Sequence, residues 1–348
     1  MSSELHNPYA GRPDYTFWRR AVSSLGQNTD PVTNPKFMIA KSAPVATVGS
    51  CFAQHISRRL KANGYSFLVT ESFEGAPGTD DENYGVYPAR FGNVYTARQL
   101  LQLFGRAYGQ FSPSESSWTT VSGAVIDPFR PTIQERGFPS EDAHRRDLAT
   151  HLDATRKMFE GCDLFVFTLG LTEGWASAND GAVVPLAPGV VKVAKTRFPY
   201  VFVNFGYDEV VADIRAFLSA FRKVNARAKL MFTVSPVPLI ATFEDRHVLV
   251  STIASKSILR AAVDEIVRRD PDAEYFPSYE IITGPNARGR FFNDDLREVS
   301  EEGVQTVMSI FQKHYLSGSD PAVKLSQEDE ARFAAMAGII CDEERNSQ

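Results

Sequence analysis

The amino-acid sequence predicts an α/β protein, a three-layer α/β/α sandwich built on a parallel sheet. Strands alternate with helices along most of the chain, which is the pattern of right-handed crossovers. The apolar run Leu164–Leu169 is unbroken, as in a strand that is covered on both faces. The chain has 348 residues, of which 43% are hydrophobic and 23% charged, so it can supply a large core.

The individual elements follow from apolar spacing and from the residues that start and stop helices. A strand at 45–48 leads into a helix marked by Phe52, Ile56 and Leu60, with Gly64 as its stop. Further strands are predicted at 65–69, 164–169, 230–234 and 274–276. Further helices are predicted at about 96–108, 140–160, 208–226, 249–269 and 299–315, with a helical segment near 326–340.

Composition divides the chain into three parts. Residues 1–42 are polar, proline-punctuated and aromatic, and are expected to wrap the domain as an arm. Residues 43–317 form the domain, with a β-hairpin insertion at about 180–206 whose strands are 183–185 and 200–205. Residues 318–348 form a charged C-terminal tail.

Charge and residue usage argue against several classes of function. The net charge is -5 and no basic cluster has interleaved aromatic residues, so no nucleic-acid partner is expected. Cys51, Cys162 and Cys341 lack metal-ligand spacing, and there is no phosphate-binding glycine loop, so we expect no metal or cofactor. The N-terminus has no apolar leader, and no apolar stretch approaches about 18 residues. We therefore expect a cytoplasmic protein without direct membrane insertion.

The most informative segment is Gly49–Phe52, where the first predicted strand meets the first predicted helix. A serine at this junction lies beside a helix N-terminus, whose unpaired N–H groups suit a developing oxyanion. This is the logic of a nucleophilic serine at a strand–turn–helix. Gly-Ser before a helix is also an ordinary N-cap, which these four residues alone favour. In folds of this kind, ligands bind at the carboxyl ends of the strands. Polar residues at other strand ends therefore favour the interpretation of Ser50 as a nucleophile. These residues are Thr172, Glu173, Ser235, Tyr279 and Glu280.

Residues 48–56 contain the motif Gly-Ser-Cys-Phe-Ala that names the GSCFA family, and the chain resembles this family over roughly residues 40–315. Further stretches similar to the family are 90–96, 167–175, 233–238, 255–257, 275–280 and 295–299. The family is grouped with the SGNH, or GDSL-like, hydrolases. The resemblance implies a flavodoxin-like sheet and a serine ester hydrolase or acyltransferase.

The resemblance also implies roles for single residues. Ser50 matches the SGNH nucleophile, and Gly92 resembles the glycine whose N–H joins the oxyanion hole. The N–H of Cys51, next to the nucleophile, is expected to be a second donor. Gly170 matches the glycine of the third SGNH block. Thr172 stands where asparagine is expected, and its hydroxyl can still donate to an oxyanion.

Four residues are predicted to contact the substrate: Asn93, Glu173, Trp175 and Glu280. Trp175 would stack on a sugar ring or cover an acyl group. The simpler interpretation of Glu173 and Trp175 is a helix-initiating acid and a core tryptophan. Lys256 could hold an anionic substrate group, but a solvated lysine is the default interpretation.

The chain departs from the SGNH pattern at the general base. SGNH enzymes place an aspartate and a histidine before the last helix, but the corresponding stretch holds Asp294 and Asp295 and no histidine. His247 is the candidate base, because its loop is expected on the active face, with Asp295 or Glu280 orienting its second nitrogen. Alternatively, His247 is a solvent-exposed loop residue, and Asp294 or Asp295 acts without histidine.

Other reactive side chains have simpler interpretations. The Cys51 thiol at a helix N-terminus is an alternative nucleophile, but a residue that follows such a serine usually packs inward. His55 lies five residues after Ser50, on a different side of the helix, so packing or capping is expected. The remaining histidines are interpreted as surface or core residues: His6, His144, His151 and His314.

The sequence therefore predicts a serine-dependent ester hydrolase or acyltransferase that acts on an acylated small molecule or carbohydrate. The alternative is a non-catalytic glycan- or acyl-binding protein on the same scaffold, which the missing histidine favours.

Overall fold

The computed structural model describes residues 7–73, 83–317 and 345–346. Its strands are β1 (Val45–Gly49), β2 (Trp118–Thr120), β3 (Val125–Ile126), β4 (Leu164–Leu169), β5 (Glu173–Ser177), β6 (Val183–Val184), β7 (Val193–Lys195), β8 (Tyr200–Asn204), β9 (Lys229–Val234) and β10 (Ala273–Tyr275). Its α-helices are α1 (Ala53–Ala62), α2 (Ala97–Ala107), α3 (Glu141–Gly161), α4 (Tyr207–Val224), α5 (Val248–Arg269), α6 (Ser278–Thr283) and α7 (Glu301–Tyr315). Short 3-10 or π turns lie at Asp14–Thr16, Arg19–Ser23 and Gly26–Asn28.

A four-stranded parallel sheet in the order β1-β4-β9-β10 forms the centre of the domain, which confirms the predicted α/β class. Every residue of β1 and β4 is buried, as expected for strands covered on both faces. The two strands pair without a register shift from Val45↔Leu164 to Gly49↔Thr168. Their carboxyl ends therefore reach the same edge of the sheet together.

The predicted strand at 65–69 is reduced to a single parallel bridge between Phe67 and Val45. Val45 donates its N–H to Ser66, and Leu68 donates to Val45. The pairing ends there because the next donor, Thr70, bonds to the Pro88 carbonyl instead of to β1. The bridge lies beside β1, so the central sheet has the order bridge, β1, β4, β9, β10. Numbered along the chain, these five segments have the 2-1-3-4-5 order of a flavodoxin-like sheet.

Helices cover both faces of this sheet and complete the three layers. Strand alternation directs Phe165 and Phe167 to one face, where they join the core formed with α2, α3, α4 and α5. The same alternation directs Val166 to the opposite face, where it packs with α1, α6 and α7. Capping serines and threonines begin several helices, as at Thr96, Ser140 and Ser300.

The region predicted as a hairpin insertion is arranged differently. The strands β6 and β8 do not pair with each other but flank β5 in an antiparallel sheet of order β6-β5-β8. The chain between them supplies β7, which pairs with β2 in a separate sheet of order β3-β2-β7. The sequence does not reveal β5 as a strand, because β5 follows the Gly170 turn after only two residues.

The described part of the arm is tied to the end of the domain. Ile39 donates its N–H to the Tyr315 carbonyl at 2.6 Å, and Lys36 donates its backbone N–H to Glu274 at 2.6 Å. The predicted helical segment near 326–340 lies outside the described residues. Across the described ranges, none of the helices has the length and apolar character needed to cross a bilayer.

Candidate active site

The site is built on a close approach between β1 and β4 at their carboxyl ends. Gly49 has φ +142, and a Cβ built there would overlap the Thr168 carbonyl oxygen. Only glycine fits this backbone, which explains the residue before the serine. Ser50 then donates its N–H to Thr168 at 3.1 Å, which places the serine immediately beyond the paired strands.

The Ser50 side chain is not a helix cap. Its residue is only 3% exposed, and its Oγ is buried without a hydrogen-bond partner among the residues the structure describes. The first turn of the helix is closed by carbonyls instead: Ala53 donates to Ser50 O at 2.8 Å, and Gln54 donates to Cys51 O at 3.1 Å. An unpaired buried hydroxyl is costly, so it calls for an explanation such as a catalytic role.

The structure brings Gly170 against Ser50. A Cβ built at Gly170 would lie 3.0 Å from the Ser50 Cβ and 3.0 Å from Cδ1 of Tyr95. Gly170 also donates its N–H to the Tyr95 carbonyl at 2.8 Å. The loop that follows β4 therefore packs directly on the serine.

Two backbone N–H groups are available near this serine. Within the described ranges, the N–H groups of Cys51 and Gly92 have no acceptor. Gly92 has φ +73, a conformation that favours glycine, and two residues later Val94 donates to the Gly49 carbonyl at 2.9 Å. This bond ties the Gly92 loop to the serine turn. Asn93 is buried here, and its Oδ1 accepts from Gln54 at 3.3 Å.

Thr172 lies in the same region, but its hydroxyl proton is engaged. Oγ1 donates to Asn204 Oδ1 at 2.7 Å and lies 3.1 Å from Ser255 Oγ. Asn204 in turn donates to Glu244 at 2.8 Å. A hydroxyl has one proton, so donation to an oxyanion would require this network to rearrange.

His247 and Asp295 are not paired with each other. His247 is exposed and begins α5, where its Nδ1 accepts the Leu249 N–H at 3.1 Å. Asp295 is also exposed and accepts the backbone N–H groups of Arg297 and Glu298 at 3.0 Å. Each side chain stabilises its own turn. The cause is local. In each turn the side chain accepts from backbone N–H groups two or three residues later, which would otherwise have no acceptor.

The loop that carries His247 does reach the predicted edge of the sheet. Thr242 donates its hydroxyl to Glu173 at 2.7 Å, and Phe243 donates its N–H to the same carboxyl at 3.4 Å. Burial raises the pKa of Glu173, although the hydrogen bonds from Thr242 and Phe243 oppose the rise. Glu173 is therefore part of a loop contact at the site rather than a helix-initiating acid.

Trp175 and Glu280 occupy different surroundings. Trp175 lines a cavity of about 330 Å³ that Glu173 also borders. Glu280 accepts from Arg260 at 2.7 Å and from Tyr275 at 2.7 Å, so its carboxylate is engaged in an ion pair beside β10. Of these two predicted substrate contacts, Trp175 is the one that faces the cavity.

Lys256 differs from the default interpretation of a solvated lysine. It is only 2% exposed, and its Nζ donates to the Gly170 carbonyl at 2.5 Å. The buried amino group of Lys256 therefore holds the loop that packs on Ser50. Leu259 lies three residues after Lys256, and Val263 lies four residues after Leu259, so the three residues share one helix face. This spacing is the sequence signal that indicates the burial of Lys256.

A buried network of charges supports the loop before Gly92, and sequence reasoning did not find it. Arg90 donates its backbone N–H to Glu71 at 2.6 Å and its guanidinium to Asp147 at 2.9 Å. Arg130 bonds Asp127 at 2.7 Å and reaches the Arg90 carbonyl at 3.4 Å. Burial alone would raise the pKa of Asp127, but Arg130 and its neighbours hold that pKa well below the usual range. Single charged residues far apart in sequence carry no signal for such a network.

Two histidines near the site, His151 and His55, have a pKa below the ordinary value. Burial, with the charge of Arg130, lowers the pKa of His151 to about 4, although its Nδ1 lies 2.9 Å from the Glu71 carboxylate. Burial, with the charge of Arg58, lowers the pKa of His55 to about 4, and its ring packs on Phe52. A packing role for both agrees with these contacts. Of the described residues, no group of three or more His, Cys, Asp or Glu could hold a metal ion.

The fold and the site define an α/β protein with an unpaired serine at a strand–turn–helix. The chain belongs to the GSCFA family, whose model matches residues 44–311. A search of curated proteins finds no match. Among solved structures, the chain is similar to an acetyl esterase S10A mutant with acetate ion, at 12% identity over 76% of this chain and 92% of that one, with a TM-score of 0.27. It is also similar to a carbohydrate esterase family 3 protein from Talaromyces cellulolyticus, at 12% identity over 78% and 95%, with a TM-score of 0.29. At these scores neither activity transfers to this chain.

Proposed function

We propose that the protein is a serine-dependent ester hydrolase or acyltransferase with Ser50 as its nucleophile. The observation that carries the proposal is the buried Ser50 hydroxyl, which has no partner among the described residues and is followed by the unpaired N–H of Cys51. The Gly92 loop, whose own N–H is also unpaired there, is tied to the same turn by the bond from Val94 to Gly49. An N-capping serine would be hydrogen-bonded to its helix. A nucleophile with an adjacent oxyanion hole has this arrangement of free groups.

The reaction follows from these positions. Ser50 Oγ attacks the carbonyl carbon of the ester while its proton passes to a base, and the carbonyl oxygen becomes an oxyanion held by the N–H groups of Cys51 and Gly92. Collapse expels the alcohol, which takes the proton, and leaves an acyl group on Ser50. Water or a second hydroxyl then takes the acyl group and restores the serine. His247 is the base in this proposal, which requires its ring to leave the α5 cap.

A serine-directed fluorophosphonate probe tests the proposal. We expect covalent labelling of the wild-type protein, loss of labelling in Ser50→Ala, and retention in Cys51→Ala. The cysteine variant is a matched control because it changes the adjacent buried side chain but keeps the Cys51 backbone N–H. Labelling that survives in Ser50→Ala would assign the nucleophile elsewhere.

One observation favours the second candidate, a non-catalytic glycan- or acyl-binding protein. His247 and Asp295 stabilise their own turns and form no pair, so within the described part of the chain no carboxylate is bonded to the histidine. Complete absence of fluorophosphonate labelling, with the fold intact by circular dichroism, would favour the binding protein.

A further inference from the structure

A cavity with aromatic walls opens next to the Ser50 site, and we call it the aromatic pocket. It has a volume of about 330 Å³, within the lower range of small-molecule sites. Trp175, Phe202 and Phe243 line it, with ring centroids 5.0 to 5.9 Å apart. Phe243 is 67% exposed, so its ring packs on the other two aromatic rings while it stays open to solvent.

Continuous apolar side chains lead from this pocket toward the serine. Leu171 and Leu239 line the pocket and form one cluster with Tyr95. Tyr95 in turn packs on the Gly170 backbone, which contacts Ser50. Leu171 directly follows Gly170, so the pocket begins one residue from the loop that packs on the nucleophile.

The lining of the pocket is mostly apolar, and two of its three polar side chains are hydrogen-bonded within the protein. Among the described lining residues, three have polar side chains: Glu173, Thr242 and Asn346. Both carboxyl oxygens of Glu173 accept from residues 242–243, and Thr242 Oγ1 also accepts the Glu244 N–H at 3.1 Å. Burial raises the pKa of Glu173, which favours its uncharged form. A sugar ring would need free donors and acceptors, whereas a hydrocarbon chain needs none.

We propose that the aromatic pocket binds the acyl chain of the substrate, so that the protein acts on esters of medium-chain acids rather than on acetyl esters. The inference rests on the proposed function and names its acyl group. Because each methylene moved from water into an apolar site favours binding by about fourfold, affinity should rise steadily with chain length until the pocket is full.

A binding experiment tests the pocket separately from turnover. Hexanamide and octanamide, which are not esters, are titrated into the Ser50→Ala protein, and tryptophan emission is recorded. We expect a saturable change from Trp175, with octanamide bound about 15-fold more tightly than hexanamide, from two further methylenes. The signal should disappear in Trp175→Phe and the affinity should fall in Phe243→Ala. Val121→Ala, at a site 72% exposed outside the pocket, is the control and should behave as the parent.

A kinetic series then tests whether the pocket binds the acyl group of the ester or its alcohol group. We expect kcat/KM to rise from p-nitrophenyl acetate to the octanoate and to stay flat across acetates of longer alcohols. Ala187→Phe narrows the pocket and should shift the preference from the octanoate ester to the acetate ester. Dependence on alcohol length, or an unchanged preference in both Ala187→Phe and Phe243→Ala, would overturn the proposal.

The two proposals fail in different ways. Fluorophosphonate labelling of Ser50 without length-dependent amide binding would overturn the aromatic pocket as an acyl site and leave the esterase. Amide binding without any labelling would overturn the esterase and support a hydrocarbon-binding pocket in a non-catalytic protein.

Discussion

Gly170 packs on Ser50 so closely that residue 170 cannot carry a side chain without displacing the serine. Its missing Cβ would lie 3.0 Å from the Ser50 Cβ, a separation tighter than side-chain carbons normally adopt. Lys256 also holds this residue, since its Nζ donates to the Gly170 carbonyl at 2.5 Å. The first residue after β4 thus contacts both the buried Lys256 and the proposed nucleophile.

Gly170→Ala should therefore impair Ser50 more than it impairs the fold. The added methyl forces a shift of Ser50 or Tyr95, and overpacking of this kind costs about 1–3 kcal/mol. We expect the rate of fluorophosphonate labelling to fall at least about tenfold, because a misplacement of about 1 Å can cost a hundredfold in rate. Gly189→Ala is the control, since a Cβ there meets nothing within 4 Å. Normal labelling of Gly170→Ala would show that Ser50 tolerates the contact.

Gly49→Ala should destabilise the whole domain. A Cβ at Gly49 would lie 2.8 Å from the Thr168 Cβ and overlap the Thr168 carbonyl, at φ +142. Because β1 and β4 would have to separate, we expect a loss of about 3 kcal/mol or more in the free energy of unfolding, measured with urea. Gly123→Ala separates the two causes, since Gly123 has φ +86 but open space around it. Its loss should be about 1–2 kcal/mol, the cost of backbone strain alone. Equal losses in the two variants would contradict the packing argument.

The buried histidines predict that stability falls in mild acid. The pKa of His151 is about 4 in the folded protein and about 6.5 when unfolded, so between these values the unfolded chain binds a proton that the folded chain does not. Stability is therefore full above about pH 6.5 and is lost as the pH falls toward 4, by up to about 1.4 kcal/mol per pH unit for each such group. His55 adds to the loss in the same window.

The variant His151→Gln isolates one of these groups, because an amide can still donate to Glu71. We expect the slope of unfolding free energy between pH 6.5 and 4 to be shallower in His151→Gln, by about 1 kcal/mol per pH unit. A slope that His151→Gln leaves unchanged would show that His151 is not buried as a neutral ring.

The sequence predicted the parallel sheet, its main helices and the position of Ser50, because apolar periodicity and strand–turn–helix junctions are local patterns. It did not predict the pairing of β6 and β8 with β5. Such short antiparallel strands are defined by the strands they pair with, and the spacing of residues in the sequence does not reveal those partners. The Thr172–Asn204 bond and the Lys256–Gly170 bond were missed for the same reason: each joins residues brought together only by the fold. The sequence predicted Trp175 as a substrate contact but not the aromatic pocket, because Phe202 and Phe243 come from separate segments.

His247 is predicted to be the general base, and two substitutions separate this role from its role as a helix cap. In the structure its Nδ1 accepts the Leu249 N–H at 3.1 Å, so a neutral ring carries its proton on Nε2. His247→Asn keeps a capping acceptor, whereas His247→Ala removes it and should cost about 1 kcal/mol of stability.

If the ring leaves the cap to take the Ser50 proton, both variants should lose ester turnover as fully as Ser50→Ala, because members of a catalytic unit do not contribute additively. Turnover of p-nitrophenyl esters and urea unfolding, measured on the same preparations, check the two roles together. We expect His247→Asn to be stable and inactive. Near-normal turnover in His247→Asn, with a stability loss confined to His247→Ala, would reduce His247 to a cap. The base would then have to be sought at Asp294 or Asp295, where Asp295→Asn would be the variant to measure next.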